Sequence, residues 1–179
     1  MRDGLSAAYR DGASLKILEA LLRLPDYERI RRVFLFCSVG SEPATTPWME
    51  RFWRDEKQVA CPRTSSGGHM EFYRVRSIAD CAPGRYGIPE PMEGCPLLVP
   101  DEDTWVLTPG LLFDGRGYRI GYGGGFYDRY MTRFPEAHYI GVGFADQYRE
   151  ENWPVSPFDR RIERLVTDLG VYLYEEGRQ

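Results

Sequence analysis

"RVFLFCSVGSEPATTPWMERFWRDEKQVACP", residues 32–62, reads as a strand, a helix and a second strand in succession. Residues 32–39 form an apolar run rich in β-formers, the pattern of a strand buried on both faces. Residues 45–57 open on a threonine suited to cap a helix, with Pro47 early in the first turn, and then become helical. Residues 58–62 return to strand character. A strand, a crossover helix and a strand make parallel neighbours, and the rest of the chain repeats the alternation.

Working outward, "SLKILEALLRL" (14–24) places Leu15, Leu18 and Leu22 on one stripe with Ile17, Leu21 and Leu24 beside it, and Pro25 helps to stop the helix. Residues 70–75 alternate as a strand, and the Pro-, Gly- and acid-rich segment 80–103 reads as a long surface connection. Strands are expected over 104–110, 138–144 and 164–174, with a helix over 125–134. The expected fold is a single α/β domain over 1–179: three layers, α/β/α, around a mostly parallel central sheet.

Composition narrows the function. The chain has 179 residues, 42% of them hydrophobic, which suits one compact domain. A formal net charge of −4 argues against a general nucleic-acid binder. No apolar run reaches the roughly 20 residues that span a bilayer, so no membrane partner is expected. Cys37, Cys61, Cys81 and Cys95 are widely spaced without a C-x-x-C, which points to reduced thiols and a cytoplasmic setting. His69 and His138 are the only histidines, too few for histidine-rich zinc chemistry.

"RIGYGGGFYDRY" (119–130) is the chemical signal. Ordering so many glycines is entropically costly, and such a cluster lets a ligand approach the backbone. Glycines just before a helix aim backbone N–H groups outward at the positive end of the helix dipole, the physical basis of a phosphate site. The stretch is not a P-loop, since no Gly-Lys-Ser/Thr ends it, and Phe126 stands where the dinucleotide fingerprint needs its third glycine. Arg119 and Arg129 flank it and suit phosphate oxygens, although a single arginine is most often a solvated surface group. Asp128 beside a phosphate would be repulsive unless a cation bridged them, and Mg²⁺ held by carboxylates and phosphates resolves the conflict.

The ordered motifs resemble the 5-formyltetrahydrofolate cyclo-ligase family. They are "SVGSEPATTPWMERF" (38–52), "GGHMEFYRV" (67–75), "RYGIPEP" (85–91), "LTPGLLFDGRGYRIGYGGGFYDRYM" (107–131), "VGFADQ" (142–147) and "WPVSPFDRRIERLVTD" (153–168). The resemblance implies an enzyme of one-carbon metabolism. That enzyme would close 5-formyltetrahydrofolate to 5,10-methenyltetrahydrofolate with ATP and Mg²⁺, releasing ADP and phosphate. The formyl oxygen attacks the γ-phosphate, N10 then attacks the activated carbon, and phosphate leaves. Positioning and charge neutralisation do most of the catalytic work in such a step.

By the same resemblance, Arg119 and the backbone of Gly121, Tyr122, Gly123, Gly124, Gly125, Phe126 and Tyr127 hold ATP, with Arg119, Tyr127 and Asp128 catalytic. Asp128 and Asp159 hold the metal, and Glu42, Met70 and Tyr86 line the folate site. The implied partners are these small molecules alone, with the protein a monomer or weak dimer. The family's N-terminal helix carries a basic K-x-x-L-R pattern; before Lys16 this sequence has only Arg2 and Arg10, neither in that pattern. That difference leaves open a folate- or nucleotide-binding relative without turnover.

Overall fold

The computed structural model describes residues 2–84 and 87–174. The helix expected over 14–24 is the second half of α1 (Ala7–Leu22), which starts where the Ser6 side chain accepts the Tyr9 N–H at 3.2 Å. Ile17, Leu18 and Leu21 form its buried face, whereas Leu15, expected on the stripe, is 52% exposed. Its hydrophobicity sits one position off the arc that three- and four-residue spacing from Ile17 selects.

The opening βαβ unit is β1 (Arg32–Leu35), α2 (Thr46–Arg54) and β2 (Gln58–Thr64), with β1 and β2 parallel in the register Val33↔Val59 and Phe34↔Ala60. Thr45 precedes α2, but its hydroxyl does not cap the helix; Oγ1 accepts the Ser38 N–H at 3.1 Å and ties the end of β1 to the start of α2. β3 (Met70–Val75) returns antiparallel to β2. The segment 80–103 is not a bare connection, for β4 (Cys81–Pro83) and β5 (Pro89–Pro91) pair there as a small antiparallel ribbon. Its prolines fall on a two-stranded ribbon, where edges tolerate them.

β6 (Thr104–Thr108) follows, and then β7 (Leu112–Phe113) and β8 (Arg119–Ile120) pair as a two-stranded hairpin that the sequence pattern is too short to show. After α3 (Phe126–Arg133) comes β9 (His138–Val142). The single strand expected over 164–174 is two, β10 (Arg164–Val166) and β11 (Val171–Leu173), paired antiparallel. Thr167 makes the turn between them, its Oγ1 accepting the Gly170 N–H at 3.1 Å.

The main sheet runs β11-β10-β9-β6-β1-β2-β3. Its five inner strands are parallel and both edges are antiparallel. Alternate residues point to opposite faces. Val33, Leu35, Val59 and Leu107 pack with Leu21 of α1 and Trp48 and Phe52 of α2. Phe34, Ala60 and Val106 pack with Tyr130 and Met131 of α3 on the other face. The sheet is therefore the middle of three layers. The chain leaves β1 towards β2 on one side and β6 towards β9 on the other, so the strand order reverses between β1 and β6. Beyond the carboxyl ends of strands at such a switch point lies the usual ligand crevice of an open α/β sheet. No helix among the described residues is long and apolar enough to cross a membrane.

Candidate functional site

At this end of the sheet the loops after β1 and β6, the glycine stretch before α3 and the short turn at Arg2–Gly4 come together, because Arg2 reaches Gly110, Tyr122 and Glu42. Gly125 precedes α3 at φ +60° and Gly123 lies at φ +83°, conformations that cost other residues dearly. Among the described residues no side chain caps α3, so its first N–H groups are left for another partner. Gly121, Tyr122, Gly123 and Gly124 are exposed, with Tyr122 78% exposed, while Phe126 and Tyr127 are half-buried. A Cβ at Gly121 or Gly123 would meet nothing within 4 Å, which leaves open space against that backbone.

Arg119, at the end of the hairpin, turns inward: its side chain is 6% exposed and its Nη2 lies 3.2 Å from Asp128 Oδ1. Burial pushes the guanidinium below its usual value, against the charge of Asp128, but arginine stays protonated. Its guanidinium also sits 5.6 Å from the centre of the Tyr127 ring. Arg129 does not face the crevice. It donates to the carbonyls of Gly68 at 2.7 Å and Gly124 at 2.6 Å, pinning the glycine stretch to the β2–β3 turn.

The Tyr127 hydroxyl is buried and has no hydrogen-bond partner among the described residues, an uncommon state for a native polar atom. Burial pushes its phenol well up, and the charge of Glu42 adds to that, so Tyr127 and Glu42 are electrostatic neighbours. Glu42 itself is nearly enclosed. Its Oε2 accepts the Val39 N–H at 3.0 Å, and burial raises its carboxyl against the opposing pull of that bond and of Arg2.

Arg2 is the residue that motif reading missed. It lies in a short 3-10 turn (Arg2–Gly4) and is 8% exposed. Its Nη1 donates to the Gly110 carbonyl at 3.4 Å, its Nη2 donates to the Tyr122 hydroxyl, and Nη2 also stands 3.6 Å from Glu42 Oε1. The same Gly110 carbonyl accepts from Gln147 Nε2 at 2.7 Å, which anchors the loop after β6.

Asp128 and Asp159 sit on adjoining segments. Asp128 Oδ1 accepts the Arg160 N–H at 3.0 Å, which draws the loop of Asp159 to the start of α3. Asp159 Oδ2 accepts the Ser156 N–H at 2.7 Å, so this carboxylate also shapes its own turn. Met70 is 4% exposed and packs in the core on the α3 side, inside the wall rather than on an open surface. Tyr86 lies outside the described residues. The structure thus links Asp128, Arg119, Tyr127 and Glu42 in one chain of neighbours and adds Arg2 to them.

Comparisons with known proteins agree with this architecture. The chain matches the 5-formyltetrahydrofolate cyclo-ligase family over residues 2–168. It is 31% identical to the 5-formyltetrahydrofolate cyclo-ligase of Escherichia coli K12 over 85% of this chain and 86% of that protein. It is 27% identical to the enzyme of the same name from Haemophilus influenzae, over 89% and 90%. The solved 5,10-methenyltetrahydrofolate synthetase of Aquifex aeolicus superposes with a TM-score of 0.84 at 34% identity, covering 99% of this chain and 89% of that one. A methenyltetrahydrofolate synthetase from Mycoplasma pneumoniae, at 19% identity and a TM-score of 0.73, shares the fold over 93% and 92%. Fold and relatives together define a ligase on a three-layer α/β scaffold. The chain belongs to the 5-formyltetrahydrofolate cyclo-ligase family.

Proposed function

We propose that the chain closes 5-formyltetrahydrofolate to 5,10-methenyltetrahydrofolate with Mg²⁺ and ATP, releasing ADP and phosphate. The observation that carries the reading is the buried, unpartnered Tyr127 hydroxyl, set beside Glu42 and below Arg119 at the open glycine stretch. The Tyr130 hydroxyl in the core is unpartnered as well, but Tyr127 lies next to Glu42 and Arg119, where a bound substrate can supply the missing partner.

In this reading the N–H groups of Gly121 to Tyr127 and the start of α3 cradle the phosphates. Arg119 neutralises charge on the transferred phosphoryl group from a site where burial strengthens its field. Asp128 orients Arg119, and the Tyr127 hydroxyl donates to an oxygen of the bound substrates. Glu42 accepts N–H groups of the pterin, held in place by the Val39 N–H and by Arg2. Met70 supports that wall from within the core, and Tyr86 completes the folate site.

The carboxylates fit Mg²⁺ as hard oxygen donors. Each of Asp128 and Asp159 keeps an oxygen that takes no hydrogen bond among the described residues. Mg²⁺ would supply charge neutralisation between the phosphates. Asp128 and Asp159 would hold it.

The test mixes pure, folded protein with 5-formyltetrahydrofolate, Mg²⁺ and ATP and follows methenyl product by absorbance. Product that requires both Mg²⁺ and ATP is expected; none would overturn the reading. A binding relative without turnover would instead show tight folate binding and no measurable MgATP binding by calorimetry.

A further inference from the structure

Behind Tyr127, whose phenol feels the charge of Cys37 and Cys61, three cysteines from three separate segments converge. Cys37 follows β1, Cys61 lies on β2 and Cys81 opens β4. Their sulfur atoms all lie within 4.8 Å of one another, and all three are free thiols. They form the one such group of metal-ligating side chains among the described residues. We propose that Cys37, Cys61 and Cys81 form a binding site for a thiophilic d¹⁰ cation, Zn²⁺ or Cu⁺.

The geometry is close to what such an ion requires. A metal–sulfur bond of about 2.3 Å sets sulfur–sulfur separations of about 3.8 Å in a tetrahedral site and about 4.0 Å in a trigonal one. Reaching either takes a contraction of at most about 1 Å from the separation that the cluster already has. Three thiolates with no imidazole among them select soft cations over Mg²⁺ or Ca²⁺. Cu⁺ is satisfied by three sulfurs, and Zn²⁺ adds a water as its fourth ligand. Cys61 is fully buried and Cys37 nearly so, which shields the bonds, while Cys81 is half-buried and gives the ion an access route.

Each metal–sulfur bond replaces an S–H bond, and up to three protons pass to solvent. The ion would join the end of β1, strand β2 and the β4–β5 ribbon. The loop that carries Glu42 follows Cys37, and Thr64 of β2 already donates to Glu90 of β5 at 2.8 Å, tying β2 to the ribbon. This inference does not depend on the reaction proposed above.

The experiment uses the full chain, reduced and handled without oxygen. It is titrated separately with Zn²⁺ and with Cu⁺ against a chromophoric chelator. One equivalent of either is expected to bind, and the two titrations decide which. Cys81→Ser should weaken binding by more than the roughly 10–100-fold that losing an outer partner of a metal site costs. Cys95→Ser, which lies outside the cluster, should leave binding unchanged. Bound metal should also protect Cys81 from alkylation in the wild-type chain, a readout that needs no variant to fold. No binding of either ion, binding that survives Cys81→Ser, or alkylation of Cys81 at an unchanged rate with metal present would each overturn the proposal.

Discussion

Arg2 stands over Glu42 with 3.6 Å between Nη2 and Oε1, and the two side chains are 9% and 7% exposed. Burial alone would drive the Glu42 carboxyl towards its neutral form, and Arg2 is the cation that opposes it. Arg2→Ala should therefore weaken the charged form of Glu42, the form that the proposed folate site uses to accept the pterin. An interaction with a charged group contributes about 1.5–3 kcal/mol, so KM for the formyl-folate should rise by roughly 10- to 150-fold. Arg2→Lys should recover part of that, because the charge returns without the forked geometry that also reaches Gly110 and Tyr122. Steady-state kinetics of the three proteins decide it: a KM for Arg2→Ala within twofold of wild type removes Arg2 from the site.

Tyr127 offers a test in which stability and activity move in opposite directions. Its hydroxyl is buried without a partner among the described residues, a state that costs about 1–3 kcal/mol. Tyr127→Phe should therefore leave the melting temperature of the free protein unchanged or raise it. Turnover should fall if, as proposed, bound substrates supply the partner for that hydroxyl. If instead the variant melts lower and turns over normally, the hydroxyl serves packing alone.

Asp128 is both a counter-charge for Arg119 and the acceptor of the Arg160 N–H. An alanine there would unpair a buried guanidinium and loosen the Asp159 loop, so loss of activity would carry no clear meaning. Asp128→Asn keeps an acceptor for Arg160 while removing the charge. We expect kcat to drop by at least about 10²-fold, the scale of a lost electrostatic contact to the transition state. Added Mg²⁺ should restore little of it. Circular dichroism checks that the fold is retained, and kcat within a few-fold of wild type would exclude Asp128 from the charge-neutralising set.

The parallel core of this fold is legible because β1, α2 and β2 follow one another with unmixed periodicity, and the glycine stretch announces its own turn chemistry. Other features are written in contacts that no local pattern carries. Arg2 and Tyr122 are 120 positions apart, and nothing about an arginine at the second position marks it as buried. The β7–β8 hairpin pairs two residues with two, too short for a period to show. The ribbon of β4 and β5 hides behind its prolines, which read as loop until a partner strand is supplied. Met70 has the alternation of a strand residue facing the core, and it lies in the core. The cysteines are spaced by 24 and 20 positions, so their convergence depends wholly on tertiary structure.

Asp26 supplies the pH test of the scaffold itself. It follows α1 and receives two hydrogen bonds from Arg164, at 2.8 and 2.7 Å, and one from Trp105 Nε1 at 2.9 Å, which ties the helix end to β6 and β10. Burial works to raise its carboxyl, but the bonds from Arg164 and then Trp105 outweigh it, so the group lies below the usual carboxylate range. A folded pKa below the unfolded one stabilises the protein above the unfolded value, near 3.9 for an ordinary Asp, and that contribution is lost as pH falls through the folded value. Asp26→Asn should therefore cost about 1–3 kcal/mol at pH 7. The deficit should shrink below about pH 4, as wild type loses the same charge. Urea unfolding at pH 7 and at successively lower pH measures both ends. A deficit that stays constant across that range would mean that shape rather than charge holds this corner together.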